Sequence, residues 1–146
     1  MARDGVSIWN AADPRRWWVS WRKALEYLNA LSKGVQCAGY RLRTEAEWEY
    51  AAKNAYGLYD MLGNQWEWTW DVEDINTPFE GEMTDPIIGG LAQKDEWKHR
   101  RVRGGSFRSS KMEVRAANRN QAAPEGPGGL EFGFRPVRSA SGTASK

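Results

Sequence analysis

The chain predicts an α+β domain: two helices, then a small twisted antiparallel sheet with long loops. Three observations carry this. Residues 20–33 and 44–53 each join a helix-capping signal to apolar positions at helical spacing. Beyond residue 54 that periodicity stops, and short segments separated by Gly, Asn and Pro take over. Within them Trp66, Trp68 and Trp70 alternate at period two, the mark of a strand with one bulky face.

In chain order, residues 1–14 read as a loose lead-in ending at Asp13-Pro14, residues 15–138 as the domain, and residues 139–146 as a small, polar, disordered tail. Ser20 is placed as the N-cap of the first helix. Trp21, Ala24, Leu25, Leu28 and Leu31 form its apolar face, and Gly34 is its stop. After a link, Thr44-Glu-Ala-Glu47 forms a capping box, in which the threonine hydroxyl takes the Glu47 amide and the glutamate reaches back. Residues 73–97 read as a long surface loop. Strand–turn–strand character returns from Arg101 to Arg138, around Gly104-Gly105 and Gly133.

A length of 146 residues suits one domain with a real core. Net charge is +2, which gives no large drive toward nucleic acid or membrane. The run Lys98-His-Arg-Arg-Val-Arg103 is locally basic, and a solvated strand edge blunted by charge explains it about as well as a binding patch does. One cysteine, Cys37, excludes an internal disulfide and a thiolate cluster for zinc. No segment approaches the roughly 18 apolar residues of a membrane span, and no apolar signal-peptide core is expected at the N-terminus. Nine Trp and fifteen Gly point to a loop-rich fold in which indole N–H groups need partners.

The block Asn54–Asp71 is the most informative. Gly57 and Gly63-Asn64 sit where a backbone turns, and oxygens of Asp60, Asn64, Gln65 and Glu67 crowd that turn before the three tryptophans begin. Carboxylate, amide and carbonyl oxygens on an irregular loop are what calcium takes. The same residues equally serve to cap a turn, with the tryptophans as core.

Three ordered blocks resemble a known family. They are Tyr40-Arg-Leu-Arg-Thr-Glu-Ala-Glu-Trp-Glu-Tyr-Ala-Ala52, the Asn54–Asp71 block, and Arg103-Gly-Gly-Ser-Phe107 with Val114-Arg-Ala-Ala-Asn-Arg119 and Gly133-Phe-Arg135. Together with Val19-Ser-Trp21 they are similar to the formylglycine-generating-enzyme (sulfatase-modifying factor) domain, a variant of the C-type lectin fold, over roughly residues 17–137. Such a fold is therefore expected. The family's long glycine-rich insertion after the Glu-Tyr-Ala-Ala helix is absent here, and with it the calcium site that draws on that region. The second calcium site maps onto Asp60 and Glu67 through side-chain oxygens and onto Gly63 and Gln65 through backbone carbonyls. The alternative is a loop held by Asn64 and Glu67 hydrogen bonds without metal.

The catalytic members bind copper through two cysteines shortly after the Gly-Gly-Ser-aromatic turn. Here that place reads Phe107-Arg-Ser-Ser-Lys-Met-Glu-Val114, and a serine hydroxyl is a poor ligand for a soft metal. The sole histidine, His99, cannot build the three-histidine iron centre of the related sulfoxide synthases. The expectation is a chain without copper or iron that is not an enzyme.

The resemblance then implies a binding platform, as in the variable proteins of diversity-generating retroelements, where asparagine codons of an exposed C-terminal face are rewritten. Asn118 and Asn120 remain asparagine, and Arg108, Ser109, Ser110, Ala122 and Ala123 are residues that such a rewrite yields. Lys111, Met112, Glu113 and Gln121 are not. With Phe107 as an aromatic anchor, these eight residues are the expected ligand-binding set, toward a protein or surface receptor. At least two of Trp66, Trp68, Trp70 and Phe107 are expected in the core. Arg103, Arg115, Arg119 and Arg135 are expected to tie the structure together through partners such as Glu67 or Asp71. A phage tail tip or the cytoplasm is the expected location. The competing reading is an inactive accessory domain that positions a substrate for a partner enzyme.

Overall fold

In the computed structural model, which describes residues 19–34, 39–53, 57–73, 98–126 and 129–138, the helices begin where the local signals put them. Helix α1 is Trp21–Gly34. The Ser20 hydroxyl accepts the Lys23 amide at 3.2 Å, and Trp21, Ala24 and Leu28 are buried. Gly34 is the last helical residue rather than a residue beyond it. Helix α2 is Glu45–Lys53. Its capping box is complete, with Glu47 N–H donating to Thr44 Oγ1 at 3.1 Å and Thr44 N–H to Glu47 Oε2 at 2.8 Å.

Strand β1 (Tyr40–Leu42) pairs antiparallel with the final strand β6 (Pro136–Arg138), so the first and last strands close on one another. The second sheet has the order β4-β3-β2-β5, built from β2 (Trp66–Val72), β3 (Arg100–Arg103), β4 (Arg119–Ala122) and β5 (Phe132–Gly133). Two of its ladders are antiparallel, but β5 lies parallel to β2 through Trp66↔Phe132 and Glu67↔Gly133. The sheet is therefore mixed. A two-residue strand is too short for a period-2 pattern to report its orientation.

Strand β2 was expected to bury one face, and it buries both. Trp66 and Trp68 join Trp21, Leu28, Leu42 and Val102 in the core, while Trp70 packs tilted on Trp21 at 5.7 Å. On the alternate positions, Glu67, Thr69 and Asp71 are buried as well. Two of them serve α2: Asp71 Oδ2 accepts the Glu45 amide at 2.6 Å, which caps the positive end of that helix, and Glu67 accepts the Trp48 indole, while Thr69 Oγ1 donates to Arg101 O on the neighbouring strand. The indole N–H groups of Trp21 and Trp68 are satisfied by the carbonyls of Thr69 and Val19, both across long range.

The basic run is also placed differently from expectation. Strand β3 is interior to the sheet, and Arg100 and Arg103 are buried. Arg100 lies 3.9 Å over the Trp21 ring and donates to Trp70 O, while Arg103 faces Glu45 and Glu49. Pairing, not solvation, accommodates these charges. The lead-in 1–14, Cys37, the 74–97 part of the expected loop and the tail 139–146 lie outside the described residues. No helix among the described residues is long and apolar enough to cross a membrane.

Candidate functional site

Two neighbouring regions gather the residues singled out by the sequence. The first is the connection from β3 to β4. Gly104 and Gly105 both have positive φ, and a Cβ on Gly104 would stand 2.9 Å from Met61 O, so the chain turns there only as glycine. Beyond it, Phe107 N–H donates to Asn64 O at 2.9 Å. Two successive turns then close on themselves. In the first, Ser109 Oγ accepts the Ser106 amide at 3.0 Å, and Ser106 Oγ accepts the Arg108 amide at 3.1 Å. In the second, Glu113 Oε2 accepts the Ser110 amide at 2.7 Å, which with helical-type 110–113 and 110–114 bonds makes a small capped turn. That bond holds the Glu113 carboxyl below its ordinary range.

Beneath the turns, Ser106 is buried and donates to Glu131 Oε2, while Arg108 reaches Glu131 Oε1 at 3.2 Å. Arg103 donates to the carbonyls of Ala116 and Asn118, both at 2.7 Å, and so fixes the approach to β4. Arg119 pairs with Glu45 at 3.2 Å. Arg103 and Arg119 pair with Glu45, Arg135 with Glu67, and Arg115 donates to the Met112 carbonyl within its own loop.

The expected ligand-binding set divides on this frame. Phe107 (57% exposed), Arg108, Ser110, Asn120 and Ala123 face solvent. Ser109 and Asn118 do not offer free side chains: one closes the 106–109 turn, and the other donates its amide to Glu113 O at 2.8 Å. Ala122 packs partly against the core. Asn120 bonds the amide of its own neighbour, Gln121, on the outer strand β4. Met112, 69% exposed, belongs to the same surface and was not expected there. A methionine in a polar run carries no sequence signal for exposure, since its usual place is a core gap.

The second region is an open cleft of about 250 Å³ lined by Asp60, Asn64, Gln65, Glu67, Gly133, Phe134 and Arg135. Asp60 and Asn64 hold left-handed backbone, φ 56° and 63°, which these two side chains tolerate. The fold thus brings three of the residues expected to hold calcium into one cleft. Glu67, however, is only 7% exposed and is engaged on both oxygens. Oε1 accepts Arg135 Nη2 at 2.8 Å and Nε at 3.1 Å, and Oε2 accepts Trp48 Nε1 at 2.8 Å and contacts Arg43. Gln65 turns its amide to Leu130 O at 2.7 Å. A carboxylate that already takes three hydrogen bonds and an ion pair with Arg43 does not fit as a calcium ligand.

This fold and this arrangement of loops define a C-type-lectin-like platform of the formylglycine-generating-enzyme type. The sulfatase-modifying factor enzyme 1-like domain matches residues 5–54 and 52–140, and the chain belongs to that family. It is 31% identical over 156 residues to the serine/threonine-protein kinase pkn1 of Chlamydia pneumoniae, covering 80% of this chain and 23% of the kinase. It is 28% identical over 170 residues to the formylglycine-generating enzyme of Mus musculus, covering 80% of this chain and 42% of the enzyme. The chain thus spans less than half the length of these relatives. Among solved structures, PvdO from Pseudomonas aeruginosa superposes with TM-score 0.65 at 25% identity, over 84% of this chain and 60% of that one. Treponema denticola variable protein 1 superposes with TM-score 0.54 at 29% identity, over 67% and 47%. In this chain the stretch after Gly104-Gly105-Ser106-Phe107 contains no cysteine.

Proposed function

We propose that the chain is a non-catalytic binding module whose recognition surface is the β3–β4 connection with strand β4, in the manner of a diversity-generating-retroelement variable protein. One observation carries this reading. The loop backbone is locked by Ser106, Ser109, Glu113, Asn118 and Arg103, while Phe107, Arg108, Ser110, Met112 and Asn120 project outward from it. A rigid frame carrying exposed aromatic, thioether and hydrogen-bonding groups binds at low entropic cost. It also allows those side chains to change while the fold remains. The likeness to Treponema denticola variable protein 1 supports the reading, as does the single cysteine, which leaves no thiol pair for copper. A macromolecular ligand, a protein or surface receptor, suits a surface of this kind better than nucleic acid, because the net charge is only +2.

The deciding experiment is sequencing of this locus and its neighbourhood across a source population. The expected result is a reverse-transcriptase gene nearby, a near-copy of the 104–135 coding stretch, and variation confined to adenines in exposed codons. An invariant stretch with no such copy would overturn the reading. The accessory-domain alternative draws support from pkn1, in which the matched region is 23% of a longer kinase. It predicts instead a neighbouring kinase, oxidase or sulfatase gene.

A further inference from the structure

We propose that Arg135, backed by Arg43, stands where a divalent cation would otherwise compensate Glu67, so that the Asp60–Glu67 cleft is held closed by guanidinium groups and takes no calcium.

The count of donors is the first argument. A carboxylate offers about four lone-pair directions. Glu67 meets both nitrogens of the Arg135 fork on one oxygen, and the Trp48 indole and Arg43 on the other. Calcium bound there would have to displace at least one of them, and three of the four come from cations.

The second argument is the reach of Arg135. Its Nη2 donates to the Tyr59 carbonyl at 3.0 Å as well as to Glu67. One guanidinium therefore draws a backbone carbonyl at the start of the Asp60–Gln65 loop toward the carboxylate at its end. That is the structural task a loop-bound cation performs, done with directional hydrogen bonds.

Charge balance is the third. Arg43 is buried, and its guanidinium is pushed down to about 9 by burial and then by the neighbouring Arg135. Two guanidinium groups face Glu67, so its charge is compensated without a metal ion. Asp60, exposed at the rim, is the only other carboxylate among the described lining residues. A doubly charged ion entering here faces repulsion from Arg135 at close range.

Terbium titration read by tryptophan-sensitised emission tests this, together with melts in millimolar calcium and in chelator. The wild-type protein is expected to give no saturable emission from this cleft and the same midpoint in both buffers. Arg135→Gln is expected to melt lower in chelator and to recover part of the loss in calcium, because it frees Glu67 Oε1 and the Tyr59 carbonyl. Saturable wild-type emission that calcium competes away and Asp60→Asn abolishes overturns the proposal. Emission untouched by Asp60→Asn belongs elsewhere on the molecule and upholds it. A folded Arg135→Gln protein that stays silent to both ions also overturns it. Where that variant does not fold, the wild-type measurement decides.

Discussion

Ser106 Oγ donates a 2.9 Å hydrogen bond to Glu131 Oε2 across 25 residues of sequence, joining the base of the exposed turn to the segment that leads into β5. Ser106 is 2% exposed, so its hydroxyl has no water as a ready substitute. Glu131 also holds Arg108 and lends its carbonyl to the Trp66 amide at 2.7 Å. The exposed turn is thus anchored from below by a residue outside it.

Ser106→Ala is expected to cost about 1–3 kcal/mol, the range for losing a buried hydrogen bond to a charged acceptor. Urea denaturation measures that cost. Amide exchange should quicken first at Arg108, whose N–H loses the Ser106 hydroxyl.

Gly104→Ala combines a left-handed φ of 97° with a Cβ 2.9 Å from the Met61 carbonyl. The strain of such a backbone for a residue with a side chain is of order 1–3 kcal/mol, before the clash is added. A drop in the urea midpoint larger than that of Ser106→Ala is expected.

The outward residues and the frame residues should separate in melts. Ala substitutions at Phe107, Arg108 and Asn120 are expected to stay within about ±0.5 kcal/mol, as exposed changes usually do. Ser109→Ala and Asn118→Ala should each cost about 1 kcal/mol, because their side chains close turns of the loop. Equal costs for the two groups would remove the distinction between frame and surface.

Helix α2 should carry acid sensitivity. Hydrogen bonds from Arg41, opposed by burial and aided by the Thr44 amide, hold the Glu47 carboxyl below its ordinary 4.5. A carboxylate lowered by folding stabilises fully above its unfolded value, and that contribution is lost as pH falls through the lower folded value. Glu47→Gln should therefore destabilise near neutrality and flatten the dependence of the melting midpoint on pH below about 4.5. An unchanged slope counts against Glu47 as the titrating group.

Removing the Thr44 hydroxyl isolates the cap itself. Thr44→Ala should cost about 1 kcal/mol, the usual loss for a capping side chain. Circular dichroism during the melt is the check, and Thr44→Ser should restore most of the loss.

Sequence alone determined the features that close over short distances. Ser20, the Thr44–Glu47 box and the helices they start need only neighbours three residues away, so their residue types announce them. The cysteine-free run after Phe107 and the oxygen-rich turn at Asp60–Glu67 were equally legible, since chemistry is written in residue identity. What those residues do was decided by contacts across the fold. Glu67 meets Arg135 from 68 positions away, and that contact, invisible to spacing, pairs one of the expected metal ligands with a guanidinium. Both faces of β2 are buried because α1 and the aromatic core take one, while buried polar partners on α2 take the other. Arg100 and Arg103 lie inside a sheet because Trp21, Glu45 and Glu49 are there to receive them. Ser109 and Asn118 look as adaptable as Ser110 and Asn120, yet the first pair is half-buried in the turns it closes, while the second pair is exposed and bonded only to near neighbours. A side chain's type limits the bonds it can make, but only the folded backbone decides which partner lies within 3 Å.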